Sequence, residues 1–239
     1  MPAPPTPLER LNTEITGCQR CARLRLYCEA VGREKRRAYR EWEYWAKPVP
    51  SFGDQQARIL ILGLAPGAHG SNRTGRPFTG DGSGDFLYPA LHDAGFASQP
   101  KAVARDDGMR LHDCWISSVA RCAPPKNKPE IGELANCAPF LDREIALLVH
   151  LRVTVCLGRV AFEGYLRHLA RTGVIGKGAS GGEKKRFVFF HGAEYELPDR
   201  RYLLASFHPS LQNTNTGKLT RPMLLGVFER AKALANREG

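Results

Sequence analysis

Ala57-Arg-Ile-Leu-Ile-Leu-Gly-Leu-Ala-Pro-Gly-Ala-His-Gly70 is the stretch that decides the fold. Its first part, Ala57–Leu62, is a nearly continuous apolar run. It reads as a strand of the kind buried on both faces in a parallel sheet. The Gly-rich stretch Gly63–Gly70 then reads as a turn whose backbone can come close to a ligand. The same order recurs far along the chain. Tyr202–His208 reads as a strand and opens the polar loop His208-Pro-Ser-Leu-Gln-Asn-Thr-Asn-Thr-Gly217. A fold that brings these strand ends together places a His, which can polarise a ligand, beside a backbone cradle. That combination suggests an active site.

Outward from this centre, Asp113–Val119, Val153–Leu157 and Arg186–His191 read as further strands, the last joined to Tyr202–His208 by a hairpin-like excursion. Helices are expected over residues 8–16, Arg33–Ala46, Phe86–Ala94, Ile131–Val149, Val160–Arg171 and Pro222–Asn236. Pro48–Gln56 reads as a linker, Gly63–Gly82 as a long loop, and Gly173–Glu183 as a mobile Gly-rich segment. Strands alternating with helices give an α/β class with a parallel sheet covered on both faces. Ligands of such folds sit at the carboxyl ends of the strands. Both opening motifs lie there, as does the Pro-rich loop Cys122–Pro129. Residues 1–7 read as a short disordered leader and residues 8–239 as a single domain, without internal repeats.

Lys and Arg total 35 against 24 acidic residues, a net charge of +11. Charge speaks to partners rather than to fold, and nucleic acid is the commonest polyanion partner of such a chain. An ordinary basic surface would give the same count. No apolar run approaches the roughly 20 residues of a membrane span, and the first residues lack the features of a secretory signal. A cytoplasmic protein is expected. The seven cysteines are odd in number, which argues against a disulfide framework and for a metal or cluster site. Cys18 and Cys21 form a tight chelating pair. Cys122 and Cys137 bracket the Pro-rich loop. Together they could hold zinc or a [4Fe–4S] cluster, and thiolate ligands alone do not separate the two. Cys28 is a substitute ligand, whereas Cys114 and Cys156 fall in strands and read as core thiols.

The loop motifs each have a plain alternative. Gly63–Gly70 lacks the Gly-Lys-Ser/Thr ending of a P-loop and the spacing of a dinucleotide fingerprint. In Arg76-Pro-Phe-Thr-Gly-Asp81, Phe78 could stack on a base or anchor the loop. Asp81 could position water or cap the following helix. His208 could be structural, but its loop carries Asn213 and other polar residues able to read polar edges and grip phosphate.

Taken in order, Gly63-Leu-Ala-Pro-Gly67, Arg76-Pro-Phe-Thr-Gly-Asp81, Arg121-Cys-Ala-Pro-Pro-Lys-Asn-Lys-Pro129 and His208-Pro-Ser-Leu-Gln-Asn213 resemble the uracil-DNA glycosylase superfamily. The likeness is greatest to its family 5, the type B enzymes of bacteria and archaea, and runs from Cys18 to about Thr220. It implies a three-layer α/β/α sandwich around a four-stranded, mainly parallel sheet. It also implies a [4Fe–4S] cluster on Cys18, Cys21, Cys122 and Cys137. The implied activity is removal of uracil and other deaminated bases, hypoxanthine among them, from double-stranded DNA, by a monomer acting in base excision repair at the prokaryotic nucleoid. Other branches carry a polar or acidic residue in the first motif. Here Leu64 and Ala65 stand in that stretch, as in type B, and the matching acid is Asp81.

On this resemblance the target nucleotide is flipped out of the stack. Phe78 stacks on the base. His208 donates a hydrogen bond that stabilises the leaving anion. Asp81 orients water or favours the cationic sugar, and Asn127 and Asn213 assist. The Gly63, Leu64, Ala65 and Gly67 backbone and His69 line the pocket. Ser210, Gln212, Lys218 and Arg76 contact DNA, with Leu211 or Leu219 as the duplex wedge. The competing expectation is a non-catalytic, metal- or cluster-stabilised nucleic-acid binding protein on the same fold. The special basic insertion of the DNA-crosslinking relatives is not found here.

Overall fold

The computed structural model describes residues 4–176 and 186–237. Its frame is one six-stranded sheet. The strands are β1 (Phe52–Gly53), β2 (Ile59–Gly63), β3 (Cys114–Ser118), β4 (Val153–Leu157), β5 (Glu194–Glu196) and β6 (Tyr202–Ser206), in spatial order β1-β3-β2-β4-β6-β5. The inner four are parallel, and β1 and β5 add antiparallel edges. The four-stranded expectation therefore describes the parallel core, and the sheet itself has six strands.

Alternation along the inner strands splits the core in two. Ile59 and Ile61 of β2 face α4 (Gly82–Asp93) and α8 (Arg221–Ala235). Leu60 and Leu62 face α5 (Ile131–Leu147) and α6 (Arg159–Arg171). Leu8 of α1 (Pro7–Thr16) joins the second cluster. The result is the expected three-layer sandwich. The helix α2 (Ala22–Glu34) and two short helical pieces, α3 (Ser71–Thr74) and α7 (Leu211–Asn215), are added to it.

Several local expectations shift. Residues 1–3 of the leader lie outside the described residues, but Thr6 already caps α1 in a capping box with Glu9. The expected helix Arg33–Ala46 is replaced by α2. Its buried Leu24, Cys28 and Val31 recur at helical spacing, and Lys35, at φ 51°, turns the chain out of it. The linker contributes the edge strand β1. Arg186–His191 is not a strand. The Tyr195 hydroxyl accepts from the Val188 amide at 2.9 Å and donates to its carbonyl at 2.7 Å, so a side chain occupies the groups a ladder would use. The hairpin forms from Glu194–Glu196 instead, with Tyr195 opposite Leu203. Residues 177–183 of the Gly-rich segment lie outside the described residues.

Candidate active site

In the parallel core, chain order reverses about β2, which has β3 on one side and β4 on the other. A crevice is expected outside the carboxyl ends of strands at such a point. A cavity of about 490 Å³ lies there. The loop after β2 supplies Leu64, Ala65, Pro66 and Gly67. The end of β3 supplies Ser118, and the segment after β6 supplies His208, Ser210, Leu211 and Gln212. Phe78, Asp81 and Asn127 complete the wall.

Asp81 caps α4. Its Oδ1 accepts from the Ser83 and Gly84 amides at 3.1 and 3.2 Å. The cap reading and the functional reading use different oxygens, because among the described residues Oδ2 has no hydrogen-bond partner. That oxygen lies against Gly67 and Gly70, where a side chain would collide with it. Burial pushes the Asp81 carboxyl above the usual carboxylate range, and the two amides work against the shift.

Phe78 is held at φ 50°, a conformation that costs a bulky residue energy and needs its surroundings to enforce it. Its ring covers Gly63, where a Cβ would sit 2.8 Å from Cζ. The His208 ring lies 5.9 Å away, centroid to centroid, tilted by 34°. Burial pushes the His208 pKa down to about 4, so the imidazole is neutral near pH 7 and keeps one N–H to donate. Gly158, at φ 94°, leaves room for His208 behind the end of β4.

Not every expected site residue reaches this cavity. Gly63 lies under Phe78 rather than on the wall. His69 is turned away, with Nδ1 3.1 Å from the Tyr44 hydroxyl. Asn213 donates from Nδ2 to the His208 carbonyl at 2.8 Å, so it supports the loop instead of lining the wall. Arg76 is buried and paired through both terminal nitrogens with Asp107 at 2.7 Å, which takes it out of reach of DNA. Lys218 is exposed, its Nζ 4.9 Å from the Phe207 ring centre. Leu219 is buried in the core, whereas Leu211 is exposed at the rim. Ser118 was missed. It pairs in register with Gly63, so the strand-end rule that found Gly63 also points to it.

The cysteines gather beside this cavity. Cys21 feels the fields of Cys122 and Cys18, and Cys137 those of Cys122 and Cys21. Burial raises the Cys21 thiol and pushes Cys137 up to about 11. Cys28 lies against Cys122 and the Ala123 carbonyl, while Cys114 and Cys156 are core thiols. Among the described residues, no three His, Cys, Asp or Glu side chains are placed to hold a single metal ion. The surroundings suit a larger anionic group. Buried Arg25 donates from Nη2 to Glu29 Oε1 at 3.1 Å and to the Ala46 carbonyl at 2.8 Å but has Nε and Nη1 without partners, and Asn136 donates to the Cys21 sulfur at 3.4 Å. Cys18, Cys21, Cys122 and Cys137 are the soft thiol donors that an iron–sulfur cluster would use here.

Residues 50–232 match the model of the uracil DNA glycosylase superfamily. The chain belongs to the uracil-DNA glycosylase superfamily. It is 53% identical over 221 residues to a type-5 uracil-DNA glycosylase of Thermus thermophilus, covering 92% of this chain and 95% of the relative. A type-5 enzyme of Mycobacterium tuberculosis is 47% identical over 229 residues, covering 95% and 82%. One of Pyrobaculum aerophilum is 41% identical over 219 residues, covering 92% and 89%. The superfamily resemblance read from four short loops thus holds along most of the chain. Among the described residues no helix is long and apolar enough to cross a membrane.

Proposed function

We propose that this chain is a monofunctional uracil-DNA glycosylase that hydrolyses the N-glycosidic bond of uracil in double-stranded DNA and so starts base excision repair. The observation that carries this reading is the composition of one cavity wall: an unpartnered Asp81 oxygen, a neutral His208 and the Phe78 ring. Support comes from the type-5 relatives, which are named for this activity.

The base leaves the stack to enter the cavity and stacks on Phe78. As the C1′–N bond breaks, its electron pair goes to the base, and His208 donates a hydrogen bond to a base carbonyl that gains negative charge. A neutral donor suits this step, since it stabilises the anion without first having to hold a proton in a dry site. Asp81 Oδ2 orients a water toward C1′ and favours the positive sugar. The water oxygen bonds to C1′, and its proton passes to Asp81 and then to solvent. Asn127 assists in placing the water, and Asn213 positions His208 through its carbonyl. Ser210, Gln212 and Lys218 contact the DNA backbone, and exposed Leu211 is the wedge that fills the gap in the duplex.

Hypoxanthine is a second substrate on this reading, as the resemblance to the type B enzymes implies. Cys18, Cys21, Cys122 and Cys137 hold a [4Fe–4S] cluster, which supplies a rigid anchor for the Cys122–Cys137 loop. The enzyme acts as a monomer in the cytoplasm.

The test uses duplexes holding one uracil or one hypoxanthine. Free base should appear from the uracil duplex, leaving an uncut abasic strand. A protein with its full iron content that binds the duplex and releases no base would instead be the binding module.

A further inference from the structure

Arg73 is a buried cation whose position stability alone does not explain. It is 3% exposed. Nε donates to the His69 carbonyl at 2.8 Å, and Nη2 to the Gly80 carbonyl at 2.7 Å. Nη1 is buried without a partner. Its Cζ lies over two aromatic rings, 3.9 Å from the Tyr39 centroid and 4.1 Å from the Trp42 centroid. Among the described residues no carboxylate forms an ion pair with it. A buried charge without a counter-ion is costly, and two carbonyl acceptors and two aromatic rings offset that cost here.

The location supplies the reason. His69 belongs to the loop whose Gly67 and Gly70 abut the Asp81 carboxylate, and Gly80 directly precedes Asp81. One guanidinium therefore ties together the two segments that wrap this acid. Gly80 sits at φ 78°, and a Cβ there would run into Nη2, so the turn is built around the Arg73 head. Asp81 is also an acid on which the Arg73 charge acts.

We propose that Arg73 is a positioning residue for hydrolysis, fixing the Asp81 carboxylate by tying together the two loops that wrap it and adding a buried positive charge to its surroundings. This rests on the reading of Asp81 as the catalytic acid. Tyr39 and Trp42 cover the Arg73 cation, and aromatic faces favour the charge they cover. The other groups that face Asp81 are Asp85 one turn along α4, which opposes its ionisation, and neutral His208 across the cavity.

Two substitutions separate charge from hydrogen bonding. Arg73→Gln keeps a donor group and removes the charge. Arg73→Lys keeps the charge and loses the fork. Single-turnover uracil release is followed from pH 4 to 8, and the Asp81 carboxylate is titrated directly by ¹³C NMR, assigned by its loss in Asp81→Asn. Arg73→Gln should move both the acid limb and the carboxylate titration upward, by less than burial raises them, since the Arg73 charge is the weakest of the influences on that acid. Arg73→Lys should leave the limb in place and lower the plateau. A limb and carboxylate signal that stay put in folded Arg73→Gln would overturn the proposal. So would equal shifts in both variants, the mark of a merely structural role. The NMR titration judges Arg73 even if Asp81→Asn keeps full activity, an outcome that would sink the catalytic reading instead.

Discussion

Gly70→Ala places one methyl group against the acid and nothing else of chemical consequence. A Cβ at Gly70 would lie 2.5 Å from Asp81 Cγ and 2.8 Å from its Cβ, with Oδ2 nearer still. Real Cβ atoms do not approach other heavy atoms within 3.0 Å. The carboxylate must therefore swing away by about 1 Å or more, and a misplacement of that size costs on the order of 100-fold in rate. Gly67→Ala provides the graded control. Its Cβ would lie 2.6 Å from Oδ2 and 3.8 Å from Cγ, so a smaller movement relieves it. Single-turnover uracil release should fall roughly 100-fold in Gly70→Ala and clearly less in Gly67→Ala. Placed in an Asp81→Asn background, Gly70→Ala should cost little more, because the oriented group is already gone. Binding to undamaged duplex and far-UV circular dichroism should stay as in wild type. Equal losses in the two glycine variants, or a full additional loss in the Asp81→Asn background, would refute the placement of Oδ2 as the working oxygen.

The remaining predictions concern groups around that centre. Because His208 is neutral when folded, with a pKa near 4 against 6.5 unfolded, uracil release should show no step from this group between pH 6 and 8. Between pH 6.5 and 4 the unfolded chain takes up a proton that the folded site refuses. Stability therefore falls as pH drops through this window, by at most ~3 kcal/mol from this group. Thermal melts at pH 7 and 4.5 should converge in His208→Phe relative to wild type, and an unchanged pH dependence would count against a buried neutral ring. Arg76→Met removes the guanidinium from Asp107, whose carboxylate keeps the Val103, Ala104 and Met109 amides, and should cost about 1.5–3 kcal/mol in urea unfolding. DNA affinity of the folded protein should not change. A weakened, less salt-dependent affinity in a stable Arg76→Met would restore Arg76 to the DNA surface.

The parallel core was legible because Ile59–Leu62, Val153–Leu157 and their partners are apolar on both faces, and only a covered sheet accepts such runs. The edges were not. Phe52–Gly53 is too short to pattern, and Glu194–Glu196 alternates around a single tyrosine. His208 was legible from its strand-end position, whereas Phe78 and Asp81 lie in the loop before α4, where residue chemistry leaves structural and functional roles open and only the family resemblance points to the cavity wall on which they sit. Arg76 misled because an arginine among Gly and Pro reads as exposed, while its partner Asp107 lies 31 residues on. His69 misled for the related reason that its hydrogen-bond partner Tyr44 lies 25 residues away, outside the loop motif. Arg73 gave no sequence signal, since a cation covered by Tyr39 and Trp42 is a product of packing.

The most direct measurement compares wild type with Asp81→Asn on a duplex carrying one uracil, under single-turnover conditions, with binding measured in parallel. The substitution keeps the side-chain oxygen that caps α4 and removes the carboxylate charge. The expected result is uracil release by wild type, loss of nearly all release in Asp81→Asn, and unchanged binding to the duplex. Release at the wild-type rate by a folded Asp81→Asn would contradict the assignment of the chemistry to this acid.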